Sequence, residues 1–185
     1  MKKNVTRRIL ILSIQLLVLS VISSCNQNNP APNNPTPNNP ATGLNLAWTA
    51  TINGQNYSWQ GSYPNNMSSG YASSAFNQND GTLSIVLVNQ TGPKTLTIKI
   101  PTPAVGTYVI SGGTFSNPGT KNIQFVNGGT VSHTTLAGGS VTLNITEYSQ
   151  SVFGAVKGNF SGTIGAFPSG GNKTISGSFE AFRSN

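Results

Sequence analysis

The chain is poor in the side chains that carry most chemistry. Its 185 residues include three carboxylates, one histidine and one cysteine, and only 7% are charged, against roughly 25% in an ordinary soluble domain. One imidazole and one thiol cannot make the tetrahedral ligand set of a zinc site. Three acids in separate segments are a poor source of the carboxylate pair, roughly 5–10 Å apart, that glycoside hydrolysis needs. A nucleophile–histidine–carboxylate relay has one histidine to draw on, His133, with Asp80, Glu147 or Glu180 as orienting acids. With so few partners, a surface or hydrogen-bonded strand histidine is the simpler reading of His133. No enzyme, metal or other cofactor is expected.

The formal net charge of +7 hides an uneven distribution. Lys2, Lys3, Arg7 and Arg8 precede an apolar run from Ile9 to Ile22, and Ser23 and Ser24 follow. A basic start, a short apolar stretch and small residues make a secretory signal peptide over 1–24. The run is shorter than the ~20 residues of a membrane span. Ile22-Ser23-Ser24-Cys25 resembles the lipobox of bacterial lipoproteins. The resemblance implies that Cys25 becomes the first mature residue and carries acyl chains, each methylene contributing ~0.8 kcal/mol of membrane anchoring. It also implies outer-membrane sorting if the source is Gram-negative, because Asn26 replaces the Asp that retains enteric lipoproteins in the inner membrane. Once 1–24 is removed, six basic residues remain against three acids, a net charge of +3. These six (Lys94, Lys99, Lys121, Lys157, Lys173 and Arg183) are scattered, which excludes the basic stripe of a nucleic-acid binder.

Residues 25–43 follow as the lipidated Cys and a tether. Positions 26–43 hold seven Asn and five Pro with no charge or aromatic ring, so nothing there can offset the entropy of ordering, and a disordered spacer is expected. In polyproline II it reaches roughly 55 Å at most.

Residues 44–185 hold every aromatic residue and 20 of the 21 glycines. Their apolar residues alternate rather than recurring at helical spacing. Leu46, Trp48, Ala50 and Ile52 alternate with polar or small neighbours, and so do Leu96, Ile98 and Ile100, and Val141, Leu143 and Ile145. Asn53-Gly54 predicts a tight hairpin. Asp80-Gly81, Thr91-Gly92-Pro93, Gly112-Gly113, Asn127-Gly128-Gly129, Gly138-Gly139 and Ser169-Gly170-Gly171 read as further turns. The spacing predicts a single all-β domain, an antiparallel sandwich or partly closed barrel of about 9–11 strands. Its polar faces carry Thr, Ser and Asn, so closure, bulges or prolines are expected to guard the sheet edges.

Trp48-Thr49-Ala50-Thr51-Ile52-Asn53-Gly54 with Tyr57 and Trp59, Gly106-Thr107-Tyr108, and Ile175-Ser176-Gly177-Ser178-Phe179 together resemble uncharacterised β-rich bacterial lipoproteins common in Bacteroidota. That resemblance implies a β fold and an envelope location, and no catalytic residues. Tethers in those proteins are often acidic after the Cys, as a surface-export signal. This one is neutral, which leaves the membrane leaflet open.

Tyr57, Trp59, Tyr63 and Tyr71 fall among Ser, Gly and Asn, the composition of adaptable binding loops. Such rings also stack on the C–H faces of sugars. The 57/59 spacing equally suits inward strand residues. Asn77–Gly81 carries one Asp, too few for a calcium loop. The expected protein is a monomeric, lipid-anchored, non-enzymatic module binding a glycan, a small apolar ligand or an envelope protein, with a purely structural lipoprotein, or after it a hydrolase using His133, as the alternatives. Replacing Cys25 with Ala is expected to move the protein from the membrane to the soluble fraction on cell fractionation. Retention in the membrane would refute the anchor.

Overall fold

The computed structural model describes residues 44–63, 68–91, 94–112 and 119–185. Residues 1–43, where the signal peptide, lipidated Cys25 and tether are expected, lie outside them, as do Gly92-Pro93 and Gly113 of the expected turns. Ten strands follow in chain order: β1 (Leu44–Ile52), β2 (Gln55–Tyr63), β3 (Gly70–Asn77), β4 (Thr82–Asn89) and β5 (Lys94–Pro101), then β6 (Gly106–Ser111), β7 (Asn122–Asn127), β8 (Thr130–Tyr148), β9 (Ala155–Ala166) and β10 (Asn172–Arg183). The domain is all-β, as the alternation predicts, and no helix occurs among the described residues.

Six strands in the order β2-β1-β10-β9-β8-β6 make one antiparallel layer, sheet I. Four in the order β3-β4-β5-β7 make the facing layer, sheet II. The layers join at two corners. At one, the end of β10 pairs with β3 in parallel through Phe182 and Arg183. At the other, the start of β8 pairs with β7 before its middle pairs with β6. Pairing therefore runs in a ring through β10, β3, β4, β5, β7, β8 and β9, with β1, β2 and β6 outside it. The result is a sandwich partly closed into a barrel.

Alternation places one apolar face of each layer on a common core, which includes Trp48, Leu87, Ile98, Phe125, Leu143 and Phe160. The Trp48 indole N–H crosses from β1 to donate to the Val88 carbonyl at 3.2 Å. Two glycines make room for rings in adjacent strands: Gly158 opposes Phe179, and Phe160 opposes Gly177. A Cβ at Gly177 would fall 2.5 Å from Phe160 Cζ and 2.1 Å from the Thr49 carbonyl oxygen. The rings thus occupy the volume that side chains would need.

Asn53 and Gly54 both take positive φ, 51° and 80°, as a two-residue hairpin of this hand requires. Gly138-Gly139 behaves differently from expectation. Strand β8 runs through it without turning, and the register jumps between Thr134 and Gly139. The glycines take φ of 127° and 90° and form a bulge that bends β8 from β7 toward β6, as glycine bulges do where a strand changes sheet. Edge protection takes the expected form of closure and bulges, with side-chain caps added. On edge strand β2, the Ser58 carbonyl accepts from Asn89 Nδ2 at 2.7 Å. On edge strand β6, the Val109 carbonyl accepts from Lys121 Nζ at 3.3 Å.

Gly177→Ala is expected to cost about 1–3 kcal/mol by overpacking, read as a lower urea midpoint. Gly171→Ala, with open space around the added atom and no positive φ, is expected to stay within about 0.5 kcal/mol of the parent.

Candidate functional site

The four aromatic candidates separate. Tyr57 is half-buried on the inner side of β2, its ring centroid 4.9 Å from that of Phe125. Trp59 is a core side chain that donates from Nε1 to Ser69 Oγ at 3.1 Å. Tyr63 stacks with Phe153 at 5.2 Å and packs on Phe182 at 4.8 Å. Tyr71 on β3 has opposite strand parity to buried Ala72, yet its ring packs against the core cluster. It is half-buried, and that burial pushes its phenol pKa up. Tyr57, Trp59 and Tyr63 thus share the inner side of β2, where they pack against the core. Tyr71, on β3, also packs against the core, and the four form no common exposed patch.

His133 lies on β8, where its Nδ1 pairs with Ser132 Oγ at 3.0 Å. The three carboxylates are engaged elsewhere. Asp80 accepts from the Thr82 hydroxyl and backbone N–H and pairs with Lys99 at 3.1 Å. The Thr82 hydroxyl foremost, with Lys99 behind it, holds the Asp80 pKa below its usual value. Asp80 therefore closes the turn into β4. Glu147 and Glu180 flank Lys157, each at 3.2 Å, and hold its pKa up. Among the described residues no cluster of three or more His, Cys, Asp or Glu could hold a metal.

The outer face of sheet I is the feature that single segments do not reveal. Register aligns one row across all six strands: Thr107, Asn144, Asn159, Ser178, Thr49 and Ser58. The next row is Val109, Thr142, Ser161, Ser176, Thr51 and Asn56. Neighbours in a row stand about 4.8 Å apart, near enough for Thr49 Oγ1 to meet Ser178 Oγ at 3.2 Å and Thr51 Oγ1 to donate to Asn56 Oδ1 at 2.7 Å. A third row holds Gln60, Ala47, Glu180, Lys157 and Glu147. Over β10 lies an open depression of about 400 Å³, bounded by Thr49, Thr146, Asn159, Ser178, Lys157 and Glu180 together with Ala47, Trp48, Gly158 and Phe179. The polar alternation of Thr49/Thr51 and Ser176/Ser178 is visible in the sequence, but only pairing joins it into a continuous surface.

The chain matches no family model, no curated protein and no solved structure.

Burial, and secondarily Lys173, push the His133 pKa below its ordinary 6.5. The unfolded chain therefore takes up this proton at a higher pH than the fold does. The stability tied to neutral His133 is complete above pH 6.5 and declines as the pH falls from 6.5 to the lowered folded-state value. The melting temperature is expected to fall through that window, and His133→Gln to remove the slope. Asp80 acts in a separate window, below its ordinary 3.8.

Proposed function

We propose that this protein is a lipid-anchored cell-envelope β-domain that binds a neutral glycan without transforming it, across the outer face of sheet I. The depression over β10, where Thr49, Asn159 and Ser178 of one polar row meet Ala47, Trp48 and Phe179, is the observation that carries the reading. A neutral glycan offers hydroxyl groups at short repeats and no charge. The two uncharged rows offer donors and acceptors at similar short repeats, with no counter-ion to displace. The Glu147–Lys157–Glu180 group lies at one end of the depression and supplies charge-assisted hydrogen bonds there. Exposed hydrogen bonds exchange against water, at about 0.5–1.5 kcal/mol net each, so affinity comes from many contacts along a chain of sugars. The engagement of all three carboxylates with lysines supports binding over hydrolysis. The lipobox at Ile22–Cys25 and the neutral spacer after it support presentation of this face away from a membrane, in the outer membrane if the cell has one.

The test is a glycan array probed with the full-length protein in detergent micelles. Neutral oligosaccharides are expected to bind. Ser178→Arg projects a long cation over the depression from an exposed strand position, and is expected to reduce binding by about tenfold or more with an unchanged melting temperature. Binding to no glycan, or binding indifferent to Ser178→Arg, would overturn the reading and leave the structural lipoprotein in its place.

A further inference from the structure

The charged group on the outer face of sheet I stands between two depressions. Beyond it, toward the C-terminal end of β10, lies a second depression of about 260 Å³ where Asn45, Ala155, Lys157, Glu180 and Phe182 meet. Lys157 and Glu180 line both this depression and the one described above. Asn45 shares strand parity with Thr49, and Ala155 with Asn159, so the four belong to one face. Along β10 the first depression is bounded by Ser178 to Glu180 and the second by Glu180 to Phe182. Two residues of a strand advance about 7 Å, which sets the depressions side by side in line with β10. The track beneath them is unbroken. β10 keeps one register with β9 from Asn172 to Phe182, and one with β1 from Ile175 to Glu180. Phe182 lines the far end, its ring centroid 4.8 Å from that of Tyr63 and 6.1 Å from that of Phe153.

The ridge between the depressions has the chemistry to grip hydroxyl groups. Lys157 Nζ meets Glu147 Oε2 and Glu180 Oε1, each at 3.2 Å. These contacts tie β8, β9 and β10 together and engage one oxygen of each carboxylate. A carboxylate accepts through both oxygens, and an ammonium has three donors. Glu180 therefore accepts hydroxyls and Lys157 donates to hydroxyl or ring oxygens at one point, both with charge assistance. Two acids against one lysine leave the ridge with one net negative charge, which disfavours an acidic chain.

We infer that the glycan taken up by this face is a linear chain of neutral, equatorially 1,4-linked hexoses lying along β10, with one sugar in each depression and a linkage over Lys157 and Glu180; the inference rests on the glycan-binding reading above. Equatorial linkages at opposite corners of the ring hold successive sugars in an extended line. An axial linkage coils the chain and lifts it from a straight track. A single sugar in one depression exchanges few hydrogen bonds against water. A linked second sugar adds its contacts without a second loss of translational and rotational freedom. Affinity therefore rises with chain length until both depressions are filled.

The experiment is an NMR titration of the full-length protein in detergent micelles with glucose, cellobiose, cellotetraose and maltotetraose. Cellobiose and cellotetraose are expected to bind about tenfold or more tighter than glucose, and maltotetraose about tenfold weaker than cellotetraose. Asn45→Arg projects a long side chain over the second depression from an exposed strand position and is expected to weaken cellotetraose by about tenfold. Equal affinity for glucose and cellotetraose, equal affinity for the two tetrasaccharides, or cellotetraose binding indifferent to Asn45→Arg would each overturn the track along β10. The broader glycan reading would survive any of these, since Ser178→Arg tests the first depression separately. No binding of cellotetraose while other neutral glycans bind on the array would overturn the track alone, and an empty array would overturn both.

Discussion

Where β10 passes from β1 to β3, and where β8 passes from β7 to β6, the backbone ladder changes partner. Groups that lose a strand at such a corner need another partner, because a buried unpaired N–H or C=O costs about 1–3 kcal/mol. The domain supplies hydroxyl side chains at both places. At the first, buried Ser74 donates to the Phe182 carbonyl at 3.3 Å, and the Ser184 N–H and hydroxyl both reach the Ser74 carbonyl. At the second, buried Thr135 accepts from the Ile123 N–H at 3.0 Å, and Thr134 accepts from Leu136 N–H at 3.2 Å. Among the described residues no buried side-chain polar atom lacks a partner. Three of the four buried polar side chains, Ser74, Thr134 and Thr135, stand at these corners, and the fourth, Thr82, bonds Asp80 at the turn into β4.

Closure then sets the terms for the inner and outer faces. The inner face cannot be uniformly large, since β9 and β10 lie between strands that all point side chains into one core. The alternating pairs Gly158–Phe179 and Phe160–Gly177 fill it with a ring over each glycine, which keeps density high without voids. The outer face of sheet I is left continuous over six strands and ends at two edges, capped by Asn89 and Lys121. One carbonyl on each edge is thereby engaged by a side chain, which interrupts the row of free groups a foreign strand would pair with.

The alternation of β1, β5 and β10 was enough to name an all-β antiparallel domain, because a period of two leaves one buried face per strand and nothing else explains it. The hairpin at Asn53-Gly54 was legible because positive φ at two successive positions is rare outside such a turn. Gly138-Gly139 was misleading for the same reason. Positive φ at glycine marks a turn or a bulge equally, and only the partner strands distinguish them. Site residues were harder. Trp59 and Tyr63 sit in a stretch with the composition of a binding loop, yet their strand parity turns them into the core. The hydroxyl rows depend on residues far apart in sequence. Thr49 meets Ser178 only once register brings them together, and a single chain of letters carries no signal for the pairing.

The scarcity of acids, which first argued against catalysis, has a second consequence in three dimensions. Three carboxylates must serve six cations after residues 1–24 are set aside. Two of them converge on Lys157, and the third closes a turn through Lys99. The allocation places Lys157 between two acids on the broad face and leaves Asp80 at the turn into β4. None of the three side-chain carboxylates is left to orient His133, whose Nδ1 meets Ser132 Oγ instead.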